Sequence, residues 1–76
     1  MTEIEIQQMI EQGLSCQSVR VTGDGHHFEA VVVSEAFAGK RPVARQRMVY
    51  AILQDKISSG ELHAISLKTI TPDEAS

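Results

Sequence analysis

The soft ligands in this chain are few: Cys16, His26, His27 and His63. Neutral imidazole is a common metal ligand and titrates near neutrality. One thiol can form neither an internal disulfide nor a CxxC metal site. His26 and His27 stand together in "VTGDGHHFEAVVVS", Val21 to Ser34, between a glycine-flanked acidic turn and a run of valines. Successive side chains of an extended segment point to opposite faces, so the two do not readily bind one metal together. On residue type alone, a histidine in such a place is more often an exposed or backbone-bonded ring than a ligand. Cys16 has no electropositive neighbour in sequence to lower its pKa and reads as a small, semi-buried residue without a function. The chain offers no nucleophile–base–acid set, so it is not read as an enzyme.

A second group could bind anions. Lys40, Arg41, Arg45 and Arg47 are four of the seven basic residues and fall around a helix start. They form either a solvated face or an anion site. The formal net charge of -3 argues against coating nucleic acid through bulk electrostatics, while leaving room for a local basic patch.

These residues must be positioned by short elements. Thr2 and Glu5 make a capping box, and Ile6, Met9, Ile10 and Leu14 then give an apolar stripe of a helix ending near Gly13. "SVRVT", Ser18 to Thr22, alternates as a half-exposed strand with Val19 and Val21 inward. "GDG", Gly23 to Gly25, is a turn, and the next strand begins near His27 or Phe28. Phe28, Ala30 and Val32 share one face and Val31 and Val33 the other, so this strand is central or covered on both sides. The two strands pair as an antiparallel hairpin.

Pro42 suits the first turn of a second helix running to about Ser58, with Met48, Val49, Ile52, Leu53 and Ile57 as its stripe and Gly60 as its stop. "LHAISLKTI", Leu62 to Ile70, is a strand with His63, Ile65 and Leu67 on one side. Thr71 to Glu74 looks like the cap and first turn of a vestigial last helix. A helix between the second and third strands implies a parallel pair. The predicted fold is therefore α+β and two-layered: one domain over residues 1–76, with helices on one face of a mixed three-stranded sheet. Hydrophobic residues at 42% and charged residues at 22% describe an ordinary globular chain. With Glu3 and Glu5 where a signal peptide would be uncharged, and no long apolar run, no membrane association is expected and a cytoplasmic location is.

The stretches "VTGDGHHFEAVVVSEAFAGK", "VARQRMVYAIL" and "SGELHAISLKTITPDE" resemble the BolA-like proteins, specifically their short bacterial branch, from about Val19 to Glu74. The resemblance implies a fold similar to a class II KH domain. It further implies a monothiol glutaredoxin as partner, with glutathione, and a 2Fe-2S cluster shared between the two in iron-sulfur trafficking or iron sensing. By resemblance the ligands on this side are His63 of the "HA" motif and a histidine of the loop between the first two strands.

The ligand inventory agrees with sharing, since a 2Fe-2S cluster takes four ligands, usually thiolates, and this chain has one cysteine. Two histidines on one iron, with a partner's thiolates on the other, would make a Rieske-like site of raised potential. The expected protein is an adaptor, monomeric alone, heterodimeric with its partner, and without a stable cluster in isolation.

The "HF" position of the family motif falls on His27, which ranks it first; His26 is kept as a substitute. Strand parity places His26 on the side of Phe28, at the looser turn, and His27 away from it. Some relatives of the family are described as transcription regulators, in stress responses among other settings. A KH-like nucleic-acid reading therefore stands as the alternative, resting on Lys40, Arg41, Arg45 and Arg47 with weak DNA binding expected. The usual GxxG backbone clamp is missing from "AGKRPV". The chain departs from the family at Gln46, where relatives often carry histidine, and at Ala75, where an aromatic residue is common.

Overall fold

The structure is a computed structural model that describes residues 1–76. Its elements in order are α1 (Glu3–Gly13), β1 (Ser18–Gly23), β2 (His27–Val33), a 3-10 turn (Glu35–Phe37), α2 (Pro42–Ser59), β3 (Ala64–Ile70) and α3 (Pro72–Ala75). The sheet order is β1-β2-β3, with β1 antiparallel and β3 parallel to β2. The α+β, mixed-sheet architecture read from the sequence is the one observed.

Each helix starts and stops for a local reason. Thr2 caps α1 by accepting from the Glu5 amide at 3.2 Å, and Glu5 answers by accepting from the Thr2 amide at 2.9 Å. Pro42 opens α2, where its missing N–H removes no helical bond. Gly60 closes it with φ +84°, a left-handed conformation that other residues adopt at a cost of about 1 kcal/mol.

The core lies between the helices and one face of the sheet. Ile6 and Ile10 of α1, Val49 and Leu53 of α2, and Val19, Val21, Phe28, Ala30 and Val32 of the sheet form one buried cluster. Leu62 joins it from the turn before β3, which starts two residues later than the sequence pattern suggests; the Leu62 amide donates to the Lys56 carbonyl at 3.0 Å rather than to a strand. Phe37 is fully buried although its segment carries no periodic signal. It is held there by Ser34, whose hydroxyl donates to the Ser15 carbonyl at 2.6 Å and accepts from the Ala36 amide at 3.1 Å. Helices α1 and α2 cover one face of the central strand β2; on the other, Val31 is half-buried and Val33 is buried.

Helix α2 is fastened to β3 by side chains. Arg45 Nη1, Gln46 Nε2 and Tyr50 Oη donate to the carbonyls of Thr69, Leu67 and Ile65 at 3.2, 3.4 and 3.4 Å. Those carbonyls belong to alternate residues, whereas the next carbonyl, of Ile70, faces the other way and accepts from the Ser34 amide.

Candidate functional site

The loop between β1 and β2 is shaped by Asp24. Its Oδ1 accepts from the amides of His26 and His27, both at 2.9 Å, and its own amide donates to the His27 carbonyl at 3.3 Å. The two histidine amides, that of His27 first, hold the Asp24 carboxyl below the usual carboxylate range. Gly23 permits the close turn: a Cβ there would stand 2.6 Å from the His27 carbonyl oxygen and 2.5 Å from the Phe28 ring.

His27 pairs in register with Ala64, so the residues preceding them, His26 and His63, meet at the mouth of the β2–β3 pair. Their ring centroids lie 6.4 Å apart with the planes inclined by 33°. Both are exposed. His27 turns to the face opposite α1 and α2, where Nε2 lies 3.3 Å from Ser66 Oγ. The structure thus brings His63 together with His26 and separates it from His27. Beside His63, a notch of about 260 Å³ opens between α2 and the start of β3, lined by Tyr50, Ile57, Leu62 and Ile65.

The pair by itself does not complete a metal site. No group of three or more His, Cys, Asp or Glu side chains converges anywhere in the chain. Cys16 is half-buried, its thiol donates to the Leu14 carbonyl at 3.2 Å, and burial pushes its pKa up. It takes no part. Two imidazoles on one metal have centroids about 5 Å apart, a geometry that exposed rings on loop positions reach from 6.4 Å by side-chain rotation. The donor set fits half of a mixed histidine–thiolate cluster and lacks the other half.

The basic group does not survive as four equivalent cations. Arg45 is 9% exposed. Its Nε donates to the Lys40 carbonyl at 2.8 Å, and its Nη1 and Nη2 donate to the Glu74 carboxylate at 2.6 and 3.3 Å. Arg45 is therefore a structural residue, removed from the candidate nucleic-acid set, while Lys40, Arg41 and Arg47 stay exposed around the start of α2. Sequence reasoning missed the role of Glu74. It accepts from the Thr71 amide in a second capping box and clamps the C-terminal turn onto Arg45; together these hold its carboxyl down to about 2.

An α-β-β-α-β chain with a mixed sheet and one helical layer defines a small domain of class II KH-like order. Residues 2–74 match the family described as BolA-like protein, and the chain belongs to it. Among curated relatives, the acid stress protein IbaG of Escherichia coli strain K12 is 43% identical over 70 residues, spanning 92% of this chain and 83% of that one. The DNA-binding transcriptional regulator BolA of Vibrio cholerae is 46% identical over 52 residues, covering 68% of this chain but about half (48%) of the relative. Among solved structures, a bolA protein homologue from Coxiella burnetii superposes with a TM-score of 0.85 at 47% identity, covering 99% of this chain and 96% of that one. No helix is long and apolar enough to cross a membrane.

Proposed function

We propose that this protein is a cytoplasmic adaptor, not a catalyst, that binds a monothiol glutaredoxin and shares a 2Fe-2S cluster with it and glutathione. The observation that carries the reading is the His26–His63 pair, two exposed imidazoles with no third ligand from the same chain. Such a pair can serve a metal group only if the group is completed from outside. His63 and His26 would bind one iron, and a partner would supply the thiolates; the cluster, when bound, contributes electron storage or transferable iron and sulfide. The notch beside His63 is open to an apolar side chain of whatever approaches that end.

The test is a visible absorption and CD spectrum of the protein mixed with a monothiol glutaredoxin, iron, sulfide and glutathione. A spectrum that differs from that of the glutaredoxin alone and depends on His63 supports the reading. A stoichiometric 2Fe-2S cluster on the purified chain without partner or thiol defeats it.

A second reading, nucleic-acid binding in transcription regulation, is favoured by Lys40, Arg41 and Arg47, three exposed cations at the first turns of an 18-residue helix whose N-cap, Arg41, makes no side-chain capping bond. Contacts of this kind are electrostatic and salt-sensitive. A footprint lost when the three become glutamine, at low salt only, is its expected signature.

A further inference from the structure

We propose that the face of the sheet opposite α1 and α2 is a docking surface for an acidic amphipathic helix of a partner protein. This goes beyond the cluster reading and does not rest on it. Helices α1 and α2 cover one face of β1-β2-β3 and leave the other open, except at its end, where Glu74 and Ala75 of α3 stand beside it. On that open face the register sets Arg20, Val31 and Lys68 in one row across the three strands, and Ser18, Val33 and Ile70 in the next. The two rows line a groove of about 420 Å³. Its floor is aliphatic, and its two flanks are cationic.

The cations are free to take a ligand. The ion pairs in the molecule are Arg45–Glu74 and Lys56–Glu61, so Arg20 and Lys68 have none. Glu74 stands on the groove rim, but its carboxylate is committed to Arg45. Glu29 lies one row towards His27, opposite Thr22 and Ser66, and also makes no ion pair. Two exposed positive charges around an apolar strip complement a segment that carries carboxylates on either side of aliphatic residues.

Spacing narrows the choice to a helix. Arg20 and Lys68 are two strand separations apart, about 9.6 Å at the backbone. Carboxylates at i and i+7 of a helix are about 10.5 Å apart on one face, and residues i+3 and i+4 between them would rest on Val31. Single-stranded nucleic acid fits less well. It binds through base stacking on aromatic rings as well as through charge, and the face has no Phe, Tyr or Trp: Phe28 and Phe37 are buried and Tyr50 belongs to α2.

The test is a titration of the isotope-labelled full chain, followed by amide chemical shifts, with a synthetic four-turn peptide carrying Glu at i and i+7 and Leu at i+3 and i+4. Saturable shifts at Arg20, Val31, Lys68 and Ile70, with the peptide weakened about fivefold by Glu→Gln in the peptide or by Arg20→Gln with Lys68→Gln in the protein, support the proposal. The same titration on a His26→Ala, His63→Ala variant is expected to be unchanged, which separates this surface from the cluster site. Absence of saturable shifts at millimolar peptide overturns the proposal, as does equal binding of the uncharged peptide. If a thymidine oligonucleotide perturbs the same residues and displaces the peptide at equal concentration, the surface belongs to nucleic acid instead and the proposal fails.

Discussion

The rings of His26 and His63 face each other across the mouth of the parallel β2–β3 pair, 6.4 Å apart, while His27 points through the sheet to the other side. The relationship follows from register. His27 opposes Ala64, so each histidine preceding that pair falls on the helix side.

Substitutions at the three histidines are expected to act unequally on a cluster shared with a glutaredoxin. His63→Ala and His26→Ala should each alter its visible CD spectrum and shorten its lifetime, whereas His27→Ala should leave both close to those of the parent. A strong effect of His27→Ala combined with a silent His26→Ala would show that the loop rearranges when the partner binds.

Gly23→Ala should destabilise the fold by about 1–3 kcal/mol, because the added methyl meets backbone and a buried ring rather than a movable side-chain tip. Chemical denaturation measures the loss. The same variant should disturb the amide resonances of His26 and His27, since it displaces the turn that Asp24 holds.

These two expectations show what was legible in the sequence. The capping box at Thr2, the turn at Asp24, Pro42, Gly60 and the apolar stripes are local signals, and every element they announce is present. Parity already placed His26 with Phe28 and His63 with Ile65. Motif position ranks His27 first, whereas cross-strand register, which sets His26 beside His63, is not a property of either segment alone. Phe37 and the Arg45–Glu74 clamp were illegible for a related reason. Phe37 sits in an aperiodic loop and becomes core only once Ser34 ties that loop to Ser15, and the clamp joins residues 29 positions apart.

Phe37→Ala should cost about 3–5 kcal/mol, the usual range for emptying a fully buried aromatic site. A much smaller loss in the denaturation midpoint would mean that the loop collapses into the vacated volume.

Glu74 gives a pH signature. Its carboxyl titrates at about 2 in the folded chain, lowered first by the hydrogen bonds from Arg45 and then by the Thr71 amide, against an ordinary value of 4.5. A depressed folded pKa means that the unfolded chain binds the proton more readily. The stabilisation is therefore complete above about pH 4.5 and is lost as pH falls towards 2. Thermal melts of the parent and Glu74→Gln should differ by a constant amount at pH 5–7. Below pH 4.5 the difference should narrow, and a gap that persists unchanged to pH 2 contradicts the assignment.

If the exposed cations at the start of α2 contact duplex DNA, three neutralised phosphates predict a loss of affinity of about 40-fold between 50 and 200 mM salt. Replacing Lys40, Arg41 and Arg47 by glutamine should abolish that dependence in a fluorescence anisotropy titration. Arg45→Gln should instead lower the melting temperature, because its guanidinium serves Lys40, Thr69 and Glu74.

The donors that α2 sends to Ile65, Leu67 and Thr69 also determine how these molecules treat one another. A strand at the border of a sheet normally offers alternating donors and acceptors on which a second chain can build, the first step of fibre growth. Here the acceptors in that alternation are already occupied from within, so an arriving strand finds only half of its template. Half-filling its parallel border from within in this way works against self-propagation between copies of the chain.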